Sequence, residues 1–402
     1  MGKGMNRRDF MKSSAAGLGG FVFLSGNEKG GGEKLLAQKV EEKKFVYRML
    51  GKTGIKLPVI SMGVMNTDNP NLVRAALDAG YYHLDTAQVY QRGTNEAMIG
   101  EILNGRPRDS FMISTKGRLP NDQKTGLYTS EATEEAFSKK IDVSLKNLGL
   151  DSIDIYYHHN VWIRESVTYE PILNALSKAK KAGKIRFIGI TTHQNEPEII
   201  RAAVKSKFYD VILPAYNFQQ KHAAEVKKAI AEAAAAGIGI IAMKTMGGKA
   251  GGRYAFDQND AAIALKWVLD DPNVHTIIAG FTTFDQMNVD LAVMNDMALK
   301  RVEREQLRRA GLHSALYCQG CGQCRGQCQK QLPIPDLMRA YMYVYGYRNL
   351  SAAQEVLSSL ILPTQLCGDC GPCPVKCLNQ WNVADRIQNI VRLRDVPPEF
   401  IA

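Results

Sequence analysis

Between about residues 47 and 297 the chain switches repeatedly between two hydrophobic periods. Short, nearly continuous apolar runs predict strands at Leu57–Gly63, Tyr82–Asp85, Phe111–Thr115, Ile153–His158, Ile185–Thr191, Val211–Ala215, Gly239–Met243 and Thr276–Ala279. Between them, apolar positions three and four apart predict amphipathic helices at Ser130–Leu148, Glu170–Ala182, Glu196–Ser206, His222–Ala236 and Ala261–Leu269. Eight such alternations predict a (β/α)8 TIM barrel over residues 45–300. The alternative, an open doubly wound sheet, calls for a glycine-rich turn after its first strand, and Ser61-Met62-Gly63-Val64-Met65 does not supply one.

A (β/α)8 barrel carries its chemistry at the C-terminal ends of its strands. The polar residues there are Asp85, Lys116 and His159, with Tyr90 in the loop after Asp85. Beyond residue 300 the pattern changes. Helical stretches at Ile334–Val344 and Ser351–Leu360 lie between two cysteine-rich runs, so residues 301–402 are read as a small, mainly helical second domain.

Composition adds two constraints. The apolar fraction of 45% over 402 residues suits globular folding. The net charge of +11 comes partly from the first 48 residues, where ten Lys or Arg face five acids. No basic helix or basic–aromatic run accompanies that charge, which argues against a nucleic-acid partner. No stretch is suited to a stable membrane span.

Three segments resemble one enzyme family. Leu84-Asp85-Thr86-Ala87-Gln88-Val89-Tyr90 resembles the aldo-keto reductase signature, Ser114-Thr115-Lys116 its strand-end lysine, and Asp154-Ile155-Tyr156-Tyr157-His158-His159 its later histidine segment. Tyr47 to Gly54 resembles the family's opening hairpin. The resemblance implies carbonyl–alcohol chemistry on a small-molecule substrate, plausibly sugar-like. Tyr90 would be the general acid, Lys116 would lower its pKa, Asp85 would hold Lys116, and His159 would orient the carbonyl. Because inward and outward residues alternate along a strand, His158 is read as a packed neighbour.

The resemblance also implies NAD(P)H bound across the barrel mouth. The matching positions are Thr191 and Thr192, then Met243, Lys244, Thr245, Met246 and Gly247, and finally Gly280, Phe281, Thr282, Thr283 and Gln286. Several depart from the family pattern. Thr191-Thr192 replaces a Ser-Asn pair, Leu213 replaces a Gln ahead of Tyr216-Asn217, and Val289-Asp290 replaces a Glu-Asn pair. Thr282 and Thr283 cannot pair with a 2′-phosphate as a cation does, so NAD or relaxed use is the expectation.

All eight cysteines fall in two runs, Cys318-x2-Cys321-x2-Cys324-x3-Cys328 and Cys367-x2-Cys370-x2-Cys373-x3-Cys377. Each run has the bacterial ferredoxin spacing and implies two [4Fe–4S] clusters. Zinc favours split pairs of ligands, and disulfides would tie distant segments together. In two-cluster ferredoxins the fourth cysteine serves the other cluster. The resemblance therefore groups Cys318, Cys321 and Cys324 with Cys377, and Cys367, Cys370 and Cys373 with Cys328. Gln329 and Leu378 stand where a proline usually follows.

Near the start, Asn6-Arg7-Arg8-Asp9-Phe10-Met11-Lys12 precedes a mild apolar stretch and resembles a twin-arginine export signal. Residues 1–37 are read as that signal and a linker, with cleavage near Ala37. The expectation is a periplasmic protein exported folded with its clusters in place. The functional expectation is an oxidoreductase whose clusters relay single electrons, with a redox partner protein. The alternative is an electron-transfer subunit whose barrel is a catalytically vestigial docking scaffold.

Overall fold

The computed structural model describes residues 45–247, 258–312, 317–363, 366–367, 370–397 and 400. The export-signal reading of residues 1–37 lies outside them. The described chain opens with an antiparallel hairpin, β1 (Tyr47–Met49) and β2 (Lys56–Pro58). Eight parallel strands follow: β3 (Ile60–Gly63), β4 (His83–Asp85), β5 (Met112–Gly117), β6 (Ile153–His158), β7 (Ile185–Thr192), β8 (Val211–Pro214), β9 (Gly239–Ala242) and β10 (Thr276–Ala279). They form a closed barrel in which β10 pairs with both β9 and β3.

The predicted first strand, Leu57–Gly63, is two strands. Pro58 cannot donate to a ladder. Lys56–Pro58 pairs backwards with β1, and after Val59 the chain turns into the barrel. The hairpin plugs the N-terminal end. Arg48 donates to the carbonyls of Leu269 (2.7 Å) and Asp271 (3.0 Å), and Lys52 N–H to that of Gly237 (2.8 Å).

Strand alternation sorts the barrel into two apolar layers. Met112, Ile155, Tyr157, Val211, Leu213, Ile241 and Met243 pack together with Leu50 of the hairpin. Their neighbours Ile113, Tyr156, Ile188, Ile190, Ile212, Ile240 and Ile277 pack with the surrounding helices. Gly189 is required in the first layer, because a Cβ there would enter the Tyr157 ring.

The helices are α1 (Pro70–Asp78), α2 (Asn95–Leu103), α3 (Glu134–Leu148), the short α4 (Arg164–Val167), α5 (Glu170–Lys181), α6 (Glu196–Ser206), α7 (Ala223–Ala235), α8 (Gln258–Leu269) and α9 (Phe284–Asn295). Helix α3 begins four residues later than its periodicity suggests. The Thr133 hydroxyl accepts from Ala136 N–H at 3.1 Å and caps it there. Helix α10 (Arg301–Leu312) is bound to α8 by Glu303–Lys266 (3.3 Å) and Arg304–Asp270 (2.6 Å), so barrel contacts continue past residue 300.

The remaining segment holds α11 (Ile334–Tyr345), α12 (Leu350–Ser358) and α13 (Val383–Val391). Leu337, Met338, Leu357, Ile387 and Ile390 give it a separate core. The two cysteine runs flank the α11–α12 pair. Among the described residues no helix is long and apolar enough to cross a membrane.

Candidate active site and cysteine sites

The C-terminal ends of β4 and β5 build a buried polar chain. Strands β4 and β5 pair with Asp85 opposite Ser114. The His83 ring Nε2 lies 2.8 Å from Ser114 Oγ, which donates to Asp85 Oδ2 at 2.6 Å. Asp85 Oδ1 takes the ammonium of Lys116, which also donates to Thr86 O at 2.6 Å. Both members of the ion pair are almost fully buried. Burial raises the Asp85 carboxyl and lowers the Lys116 ammonium, while each holds the other's charged form. Burial also drives His83 down to about 3, so it stays neutral and helps orient the carboxylate through Ser114.

Lys116 Nζ lies 5.0 Å from the centre of the Tyr90 ring. Tyr90 opens a short 3-10 turn, Tyr90–Gly93, in which Gln91 and Arg92 adopt left-handed backbone conformations. The Tyr90 phenol is raised well above the usual tyrosine value, first by burial and then by the Asp85 charge. Tyr343, Tyr347 and Glu355 of the C-terminal segment add to the rise. The Lys116 charge is engaged by Asp85, so Tyr90 stands as a protonated phenol.

His159 follows β6. Its backbone N–H donates to Gly117 O at 3.0 Å, and its buried Nδ1 has no partner. Burial, followed by Lys116, Arg118 and Arg339, holds it well below the usual histidine value, so the ring is neutral. His158 points the other way, its Nε2 against the Tyr128 hydroxyl and its Nδ1 3.1 Å from the Tyr209 hydroxyl.

Asp85, Tyr90 and His159 line one cavity of about 1000 Å³. Its floor and walls are strand-end and loop residues of the barrel, with Ala136, Lys139, Lys140 and Val143 of α3. Arg339, Tyr343, Tyr347, Asn349 and Glu355 of the C-terminal segment form its far side. The sequence reading missed this roof and also His193, whose ring lies 6.3 Å from that of His159. His193 follows Thr191-Thr192, and its signal was a histidine just past a predicted strand.

The positions read as dinucleotide contacts separate into two groups. Met243, Lys244, Thr245, Met246, Gly247, Gly280, Thr282 and Gln286 line the cavity. Lys244 is pushed down to about 7, chiefly by burial. Thr191, Thr192, Phe281 and Thr283 are not on its wall. Thr191 Oγ1 accepts from Asn160 N–H (2.8 Å), and Thr192 Oγ1 donates to Gln194 O (2.7 Å). Phe281 sits one step out of register with Gly280 and is buried against Tyr81, ring centres 5.4 Å apart. Thr283 caps α9 by accepting from Gln286 N–H at 3.3 Å. Leu213 is buried in the barrel interior.

The cysteines fall into two sets. Cys318, Cys321, Cys324 and Cys377 line one cavity. The Cys318 thiol is pushed up to about 11 by burial, and Cys321 and Cys377 are among the charges it feels. Cys324 reaches about 12 for the same first reason. Cys367 is raised by burial and by Cys328, Cys373 and Cys370. Among the described residues no three His, Cys, Asp or Glu side chains converge as the ligands of a single ion would. A mononuclear zinc needs every sulfur about 2.3 Å from one point, whereas a cubane spreads its four thiolates over separate irons.

The first cysteine loop lies against the barrel. Gln319 donates to Gly247 O at 2.7 Å and accepts from the Asn217 side chain at 3.0 Å. Arg325 stacks on Trp162, 3.5 Å from the ring centre, and donates to the Gln194 side chain.

Residues 62–260 match the profile of the Aldo/keto reductase family. D-threo-aldose 1-dehydrogenase of a Pseudomonas species is 30% identical over 245 residues, covering 51% of this chain and 73% of that one. L-glyceraldehyde 3-phosphate reductase of Escherichia coli K12 is 33% identical over 163 residues, covering 37% of this chain. That match spans 46%, about half, of the reductase's own length. In structure, an aldo-keto reductase of Bacillus halodurans in its holo form superposes with a TM-score of 0.55 at 21% identity, covering 66% of this chain and 96% of its own. The chain belongs to the aldo/keto reductase family of oxidoreductases. Its barrel is that family's fold.

Proposed function

We propose that this protein interconverts a carbonyl and an alcohol on a small, sugar-like substrate and exchanges electrons through two [4Fe–4S] clusters. The observation that carries the reading is the buried Asp85–Lys116 pair beneath Tyr90, open to a cavity that His159 also lines. A protonated phenol suits delivery of a proton to a carbonyl oxygen. The neutral His159 ring suits donation of a hydrogen bond to the same oxygen without a competing charge. Asp85 keeps Lys116 charged and fixed, and that charge favours electron density building up on the substrate oxygen.

A nicotinamide dinucleotide, held along Met243–Gly247, Gly280, Thr282 and Gln286, would supply or accept the hydride. The fit is good on the β9–β10 side, where those residues line the cavity. On the β7–β8 side the Thr191 and Thr192 hydroxyls are already engaged and Leu213 offers no polar group. This second observation favours the alternative reading, a barrel that docks a redox partner rather than turning over substrate.

The two cysteine sets support cluster binding with exchanged fourth ligands, Cys377 to the first and Cys328 to the second. Each cluster would supply one-electron transfer. Periplasmic location after folded export belongs to the same proposal and rests on the Arg7-Arg8 leader.

The test is anaerobic purification with iron and sulfide counts, then NADH and NADPH titration and a turnover assay. Two cubanes' worth of iron, dinucleotide binding, and turnover abolished by Tyr90→Phe with unchanged cluster absorption are expected. Zinc in place of iron removes the cluster proposal. Binding of neither dinucleotide turns the barrel into the docking scaffold of the alternative.

A further inference from the structure

The catalytic cavity holds more positive charge than the proposed reaction uses. Lys116 is matched by Asp85, but Arg118, Arg339 and, after β9, Lys244 also line the wall. Arg118 follows β5 two residues after Lys116. Its surface is accessible, yet it is enclosed enough by the cavity for burial to lower the guanidinium. Among the described residues it has no hydrogen bond or ion pair. Arg339 reaches in from α11 and is only loosely held, 3.4 Å from Asn160 Oδ1 and 3.8 Å from Asp336.

The two guanidiniums lie within each other's field, and each depresses the His159 ring between the barrel and the roof. The acids that face them do not close on Arg118. Asp336 lies nearest to Arg339, and Glu355 accepts from Arg92 N–H at 2.6 Å. Two like charges on one cavity wall are unfavourable unless an anion completes them. Guanidinium forks match a carboxylate or phosphate in two parallel hydrogen bonds.

We propose that Arg118 and Arg339 form an oxyanion subsite, so that the substrate carries a carboxylate or phosphate group a few bonds from the reacting carbon. The inference rests on the reading of this cavity as the substrate site. Arg339 also lines a small cavity with Lys244 and Gly247, so Arg118 is the member that makes a dinucleotide phosphate a poorer occupant of the pair. Arg118 leaves β5, on the β4–β6 arc, whereas the dinucleotide positions lie on β9 and β10 across the barrel. The subsite also joins the two parts of the chain, since one arginine comes from the barrel and the other from the cysteine-bearing segment.

The test uses the full chain purified anaerobically, with calorimetric binding of two matched pairs. These are D-glucuronate against D-glucose, and glyceraldehyde 3-phosphate against glyceraldehyde. At least one acid is expected to bind ten times or more tighter than its neutral partner, and the better of the two identifies the anion. Arg118→Met and Arg339→Met should each remove most of that preference, read as the ratio of acid to neutral affinity. Arg118 has no hydrogen bond or ion pair among the described residues, so its variant should keep the parent circular dichroism, and Arg118→Lys should restore part of the preference. Equal binding of acid and neutral partners, no binding by either acid, or an unchanged preference in the double variant would overturn the proposal. Tyr90→Phe separates the two ideas. It should lose turnover and keep the acid preference, whereas retained turnover would sink the reductase reading alone.

Discussion

The Gln319 side chain accepts a hydrogen bond from the Asn217 side chain at 3.0 Å and donates to Gly247 O at 2.7 Å, so one amide bridges two strand-end loops of the barrel and the first cysteine run. Next to it, Gly320 has φ +75° and packs on the His193 carbonyl so closely that a Cβ would overlap the oxygen. Only glycine meets both conditions at low cost. Gly320→Val is therefore expected to lift the cysteine loop from the barrel. Thermal unfolding should split into two transitions. A single transition at the parent temperature would mean that this contact does not fix the docking.

Asp85 and Lys116 are buried together, so removing one strands the other. Asp85→Asn should cost about 3–5 kcal/mol in denaturant unfolding. The double variant Asp85→Asn, Lys116→Met should recover part of that loss while remaining inactive. Equal destabilisation in single and double variants would show that the pair's burial is not the source of the cost.

This pair shows what the sequence makes legible. Strand runs, their ends and the parity along them placed Asp85, Lys116 and His159 correctly relative to the barrel mouth. Past the end of β10, Gly280 lies on the cavity wall while Phe281 packs under the helices. The roof was not legible. Tyr90 meets Tyr343 and Glu355 across more than 250 residues, and nothing in the local pattern of α11 or α12 names the surface it covers. The same long-range burial explains why the Tyr90 phenol rises although Lys116 is nearby.

Buried histidines give the fold an acid limit. His158 is held down to about 3 by burial, far below its unfolded value. Above the unfolded pKa both states are neutral and the fold is unaffected. As pH falls below about 6.5 the unfolded chain takes up a proton that the folded chain refuses, so stability declines toward the folded pKa by about 1.4 kcal/mol per pH unit. His158→Gln should flatten the stability profile between about pH 6 and 4 relative to the parent. Parallel profiles would remove His158 as the source.

The cysteine sets predict a crossed dependence. Cys377→Ser should damage the proposed cluster whose other ligands would be Cys318, Cys321 and Cys324, although it belongs to the second sequence run. Cys328→Ser should damage the other. Each variant is expected to retain about half the iron, with distinct electron paramagnetic resonance signals surviving in the two. Loss of the same signal in both variants would contradict the exchange.

Residues 339–359 complete a cavity whose reactive groups are all encoded before residue 160. Translation thus delivers the acid, the lysine and the histidine first and the wall that dries them last. A chain halted before α11 would carry Asp85, Tyr90, Lys116 and His159 in a mouth open to water, with the Tyr90 phenol falling back toward its ordinary value. On the proposed reading, competence is tied to finishing the polypeptide, and the cysteine-bearing segment acts as a seal of completion on a barrel that would otherwise look ready.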